Sequence, residues 1–288
     1  MTYPMFEKGP YREIVFDGKA TTFELKEIKG APLIVLVHGF TVPAMAWDYL
    51  VPLLNGASFS TLRLNLYGRG GSNANLNEYS GAVYAKQLAG LLEALKLNGP
   101  YHLCGYSMGG GVVATAIADG YVDAASVCFI APSGFRTLLS GRYLPFIKRG
   151  RIAASFLTNP KKGRKRLQKL LGDELREAKN GTQYFKQYVK ETEREGYIHA
   201  IRNSVLHGPM EGLEGKYQKI AQSGIPVHSI WANDDPLIRD WSRTRFAKVF
   251  GLDPAPTPLE GGHGIPFTHP DKVLADMGPF VTAVKNLG

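Results

Sequence analysis

Residues Pro32–Val37 read Pro-Leu-Ile-Val-Leu-Val, an apolar run with no polar alternation. A strand with one face in water alternates, so an unbroken run needs cover on both faces, which is the habit of a parallel sheet. Thr61–Leu66, Tyr101–Gly105, Ser126–Ala131 and Val227–Ala232 read as further strands. Helical spacing separates them. Val83, Leu88, Leu91, Leu92 and Leu95 share one broad face of a stretch from Ser80 to Leu97. Further helices are expected over Met108–Ala118, Trp241–Phe250 and Pro270–Leu287. Strands alternating with helices predict the α/β class: a mostly parallel, doubly wound, twisted sheet flanked by helices. Two segments modify it. Arg12–Phe16 and Thr21–Ile28 alternate about Asp17-Gly18 and predict an exposed-edge hairpin. Thr257–Glu260 predicts a last short strand.

The rhythm stops at Pro132-Ser133-Gly134 and resumes at Ile225. Between them the apolar spacing is helical: Leu167, Leu170, Leu171 and Leu175; Phe185, Tyr188, Val189 and Thr192; Ile198, Ile201 and Val205. Strands of one sheet lie on both sides, so the interruption is an insertion. The expected organisation is a core of residues 1–134 and 225–288 carrying a helical cap, residues 135–224.

Charge singles out the same segment. Residues 135–224 hold 19 Lys and Arg against 8 Asp and Glu, and the rest of the chain holds 15 against 17. From Arg136 to Gly172 there are eleven basic residues (Arg136, Arg142, Lys148, Arg149, Arg151, Lys161, Lys162, Arg164, Lys165, Arg166 and Lys169) and no acidic one. Leu138, Leu139, Tyr143, Leu144, Phe146 and Phe156 are interleaved with them. Apolar residues under a basic face suit a lid that meets an anionic membrane surface. A basic face that only keeps the protein solvated reads the same way. Nucleic acid is not expected as a partner, because no nucleic-acid motif accompanies the charge.

The chain has 288 residues and a hydrophobic fraction of 44%, enough for one large core with an insert. No run of 18 apolar residues occurs, so no membrane span is expected. Met1–Pro10 lacks the apolar region of a secretory signal. Cys104 and Cys128 sit inside strand runs and read as buried free thiols. A cytoplasmic protein is expected, with peripheral membrane association through the cap.

The chemistry concentrates at Gly105-Tyr106-Ser107-Met108-Gly109. It matches G-x-S-x-G, a sharp turn from strand to helix that exposes a serine hydroxyl. Side chains two residues either side of the serine would collide, which calls for glycine at both. Serine is a weak nucleophile and needs a base. Of the seven histidines, His263 in Glu260-Gly261-Gly262-His263-Gly264 follows the last short strand and can reach the carboxyl edge of the sheet. His38, His102, His199, His207, His228 and His269 read as structural. The acid that orients the base is expected after Val227–Ala232, where Asp234 and Asp235 are adjacent. Asp235, fixed by Pro236, is the better placed. Two amides must converge on an oxyanion. Met108 supplies one, and the loop His38-Gly39-Phe40-Thr41 supplies the other through Phe40. No metal-ligand spacing and no dinucleotide fingerprint occurs, so neither metal nor organic cofactor is expected.

Together these motifs, with Asn65-Leu66-Tyr67-Gly68-Arg69-Gly70-Gly71-Ser72 and Trp231–Leu237, resemble the α/β-hydrolase superfamily over Leu33–Pro132 and Pro226–Leu287. The resemblance implies a Ser107–His263–Asp235 triad, in the chain order Ser, Asp, His. It is nearest the cap-bearing carboxylesterases and monoglyceride-lipase-like enzymes. The implied activity is cleavage of small carboxylic esters with an apolar acyl part, through an acyl-enzyme. A carbon–carbon bond hydrolase, a perhydrolase and a slow-turnover ligand-binding or signalling protein use the same residues. Ser107 argues against the aspartate-nucleophile dehalogenases and epoxide hydrolases of this fold. Asn65 stands where the family usually has aspartate, and Ala232 where glycine is common.

Overall fold

The structure, a computed structural model, describes residues 10–135, 159–178 and 180–285. One sheet contains β1 (Arg12–Phe16), β2 (Lys19–Lys26), β3 (Leu33–Val37), β4 (Ser60–Leu64), β5 (Tyr101–Tyr106), β6 (Ala124–Ile130) and β7 (Val227–Ile230). Their order is β1-β2-β4-β3-β5-β6-β7. β1 and β2 form the expected hairpin and β2 joins β4 antiparallel; every other pair is parallel.

Burial on both faces explains the unbroken apolar runs. In β3, Val35 and Val37 face one core and Ile34 and Leu36 the other. The first core is filled by Leu88 and Leu91 of α2 (Gly81–Ala94) and Val112 of α3 (Met108–Ala118). The second is filled by Leu50 and Leu54 of α1 (Leu50–Gly56), whose presence the sequence reading did not register. Each such side chain removed from water stabilises by about 1.5–3 kcal/mol, which offsets the entropy of ordering the chain. Cys104 and Cys128 are register neighbours in β5 and β6, buried and not disulfide-linked.

Three helices of the inserted stretch, α4 (Pro160–Glu177), α5 (Gly181–Thr192) and α6 (Tyr197–His207), cover the loops beyond the strand ends. Leu175, Tyr184 and Tyr188 pack on Val42, Met45 and Phe267, and Tyr197 and Ile201 pack against Phe40. The next helix, α7 (Glu214–Gln222), behaves differently. It packs on α3 and on α8 (Asp240–Phe250), with Tyr217 against Phe129 of the sheet. This helix, inside the stretch 135–224 expected to form the cap, thus flanks the sheet instead of joining α4–α6. The chain closes with α9 (Ile265–Thr268) and α10 (Pro270–Lys285), the latter packed on α1.

The expected strand at Thr257–Glu260 is reduced to a bridge between Ala232 and Leu259. Pro254, Pro256 and Pro258 lack the N–H groups a ladder needs. Leu259 alone completes the pairing, donating to Trp231 O and accepting from Asn233 N at 2.7 and 3.0 Å.

Candidate active site

Val37 of β3 is in register with Gly105 of β5, so the loop after β3 and the turn after β5 emerge side by side. Ser107 occupies that turn at φ 54° and ψ −119°. The left-handed region costs a non-glycine residue roughly 1–3 kcal/mol and persists only where its surroundings impose it. Three backbone bonds do so. Ser107 N donates to Ile130 O at 2.9 Å, while Ser107 O accepts from Gly110 N at 3.0 Å and Ser133 N at 2.9 Å.

The glycines around it answer to different neighbours. A Cβ on Gly105 would stand 2.7 Å from Gly109 O and from Gly110 Cα, within the turn as expected. A Cβ on Gly109 would instead meet Val37 O at 2.1 Å and His38 O at 2.5 Å. The second glycine is therefore demanded by the neighbouring strand, not by Gly105. Gly39 brings the next loop in, since its Cβ would be 3.3 Å from that of Ser107.

His263 Nε2 lies 3.0 Å from Ser107 Oγ, and His263 Nδ1 lies 2.6 Å from Asp235 Oδ2. A carboxylate only accepts, so Nδ1 carries the proton and Nε2 presents its lone pair to the serine hydroxyl. The other oxygen, Asp235 Oδ1, accepts from Leu237 N and Ile238 N, each at 2.7 Å. Asp235 and His263 are buried, whereas Asp234 is exposed. The Leu259 bridge turns the chain back along β7, and Asp234 N donates to Gly261 O at 3.0 Å, which fixes the His263 loop.

Met108 opens α3, where the first N–H groups of a helix have no intrahelical acceptor. Phe40 follows Gly39 in the loop beside the serine. His38 holds that loop: Nε2 accepts from Leu66 N at 2.9 Å and Nδ1 donates to Gly39 O at 2.8 Å. Burial pushes its pKa down to about 3, which keeps the imidazole neutral, as both bonds require. His102 is bonded to Ser126 Oγ at 2.9 Å and His228 to Asp276, in keeping with structural roles.

Asn65 explains its departure from aspartate. Its Oδ1 accepts from Ala44 N at 2.8 Å, while Nδ2 donates to Thr22 Oγ1 at 2.9 Å and Gly70 O at 3.1 Å. An ionised aspartate has no donor for that carbonyl.

The sequence reading missed Tyr106, which it treated as the variable residue of the motif. Its hydroxyl donates to His263 O at 2.8 Å, and its ring lies 5.2 Å from the imidazole. No local pattern announces a contact across 157 positions.

Residues 34–276 match the family described as the alpha/beta hydrolase family. The chain belongs to the alpha/beta hydrolase family. Among curated relatives it is similar to the monoacylglycerol lipase ABHD6 of Homo sapiens, 29% identical over 119 residues. That alignment covers 41% of this chain and 35% of the lipase, about a third of the relative's length. Among solved structures it resembles the enol-lactonase of Burkholderia xenovorans LB400 (TM-score 0.75, 19% identity), covering 94% of this chain and all of that one. A carboxylesterase structure from the thaumarchaeon Nitrososphaera gargenis matches equally (TM-score 0.75, 19% identity), covering 97% of this chain and 100% of the other. At such identities the likeness is one of fold. Among the described residues, no helix of this alpha/beta hydrolase family member is long and apolar enough to cross a membrane.

Proposed function

We propose that the protein is a serine hydrolase of carboxylic esters. The observation that carries the reading is the line Ser107 Oγ, His263, Asp235, spaced at 3.0 and 2.6 Å, on a turn strained to φ 54°. In this reading His263 Nε2 takes the hydroxyl proton as Ser107 Oγ attacks the ester carbonyl. The amides of Phe40 and Met108 hold the oxyanion. His263 returns the proton to the departing alcohol. It then takes a proton from water as that water attacks the acyl-enzyme carbonyl, and returns the proton to Ser107 Oγ as the acyl–oxygen bond breaks and the acid leaves. The names of the lipase, lactonase and carboxylesterase relatives agree with ester chemistry. The acyl part is proposed to be apolar, in keeping with the aromatic packing of Tyr184, Tyr188, Tyr197 and Phe267 where the inserted helices meet the loops.

The test is a panel of esters of graded acyl length, run with the native protein, Ser107→Ala and His263→Ala. Each variant should keep its fold and lose roughly four or more decades of turnover. Substantial residual activity in either one sinks the reading. Labelling by a fluorophosphonate separates an enzyme from a slow ligand-binding relative, which would label poorly.

The basic cap extends the proposal to an anionic membrane surface as partner. Lys161, Lys162, Lys165 and Lys169 are exposed on α4, while Arg136–Arg151 and the apolar residues interleaved with them lie outside the described residues. At about 1 kcal/mol for each charge near anionic lipid, this face would bind reversibly. Flotation with anionic liposomes at low salt, lost at high salt and with neutral lipid, is the expected result. Binding indifferent to charge and salt, or none, removes the membrane and leaves a substrate lid.

A further inference from the structure

Arg69 takes no part in the reaction proposed above, yet it is 1% exposed. A guanidinium stays charged there, and burying a charge is costly unless its hydrogen bonds are met. All five of its N–H donors are met, and by neutral oxygens. Nε and Nη2 both reach Phe40 O, at 3.1 and 2.9 Å. Nη1 donates to Tyr67 O at 3.0 Å and to the Tyr84 hydroxyl at 2.5 Å. The second Nη2 proton goes to Ser204 Oγ at 3.0 Å. Tyr84 OH and Ser204 Oγ are 2.7 Å apart, and Ser204 Oγ donates to Ala200 O at 2.8 Å. The hydroxyl protons therefore run Tyr84 to Ser204 to Ala200, leaving both oxygens free to accept from Arg69.

The acceptors come from separate parts of the molecule: the loop after β3, the turn after β4, helix α2 and, through Ser204, cap helix α6. Phe40 sits between two pinned peptides. His38 Nδ1 holds Gly39 O, the carbonyl of the peptide unit that carries the Phe40 N–H. Arg69 grips the following carbonyl with two donors. A second tie from the cap reaches the same turn, where Glu191 of α5 accepts from Gly70 N at 2.7 Å.

We propose that Arg69 is a positioning residue that aims the Phe40 N–H and, through Ser204, makes that aim depend on the seating of cap helix α6. The inference rests on the serine-hydrolase reading, in which the Phe40 amide receives the oxyanion. An oxyanion donor acts on the transition state more than on bound substrate, so a misaimed one lowers kcat and leaves KM nearly unchanged.

The test uses Arg69→Lys, which keeps the charge and loses the two-donor grip, and Ser204→Ala, which removes the hydroxyl that ties α6 to Arg69 and Tyr84. Turnover of p-nitrophenyl butyrate is measured beside inhibition by butylboronic acid, whose serine adduct is tetrahedral and places an oxygen in the oxyanion position. Arg69→Lys should lower kcat by about 10- to 100-fold and weaken the boronic acid in parallel, with KM within about threefold. Ser204→Ala should show the same pattern at about three- to tenfold. Circular dichroism and melting check the fold; if Arg69→Lys does not fold, Ser204→Ala and Tyr84→Phe decide. An unchanged kcat and boronic acid affinity in folded variants, or a raised KM with kcat intact, overturns the positioning role alone. Failure of the underlying reading looks different: the native protein would turn over the ester no faster than Ser107→Ala.

Discussion

Asp235 divides its carboxylate between two duties: Oδ2 stands 2.6 Å from His263 Nδ1, and Oδ1 is gripped at 2.7 Å by the amides of Leu237 and Ile238. The amides leave the carboxylate one orientation, and that orientation sets the tautomer of the imidazole. Asp235→Asn can present an N–H to Nδ1, which favours the wrong tautomer, and kcat should fall by about four decades. Asp234→Asn alters an exposed group and should change kcat by less than about threefold. Steady-state rates of the two variants decide, and a larger loss at Asp234 reverses the assignment.

Gly109→Ala places a methyl group 2.1 Å from Val37 O and 2.5 Å from His38 O, both backbone atoms of a central strand and its exit. Neither can move without breaking the register of β3 with β5. Stability should fall on the order of 3 kcal/mol, together with activity. Gly215→Ala, in α7, meets nothing within 4 Å and should stabilise by up to about 1 kcal/mol. Urea unfolding of both variants checks the contrast.

Glu191 is buried on α5 and its pKa is pushed up to about 7, chiefly by burial, against the pull of the Gly70 amide and of Arg194 and Arg69. Its pKa is higher folded than unfolded, so the folded chain binds more protons between about pH 4.5 and 7. The stability from this group is fully present below the unfolded value and is lost as pH rises through about 7. Glu191→Gln removes the ionisation and should flatten this part of the profile, with a gain at pH 8 on the order of 3 kcal/mol at most. Melting temperatures from pH 4 to 8 test it; parallel profiles in the two proteins would falsify the assignment.

Asn65→Asp replaces the donor that serves Gly70 O and Thr22 Oγ1. At pH 7 the carboxylate faces a carbonyl oxygen, and stability should drop by about 1–2 kcal/mol. The loss should shrink toward pH 4, where a protonated acid can donate. Unfolding midpoints at the two pH values provide the check.

The apolar runs, the helical spacing and the glycine-flanked Ser107 were enough to give the sheet, its flanking helices and the three residues that meet at its edge. Each rests on local chemistry: which faces need cover, how a side chain repeats along a helix, and what a sharp turn demands. Asp235 could be preferred to Asp234 for the same reason, since Pro236 restricts only the residue it follows. The rest depends on contacts between distant segments. Gly109 answers to β3, Tyr106 to the His263 loop and Asn65 to Gly70, and no local pattern encodes those distances. Prolines 254, 256 and 258 were legible, but their reduction of a strand to one bridge at Leu259 depends on which partner lies alongside. Arg69 shows the limit most clearly. In the sequence it is one basic residue in a glycine turn, and only the closing of α2, α6 and the Phe40 loop around it completes the four acceptor oxygens that meet its five N–H groups and makes the burial of its charge tolerable.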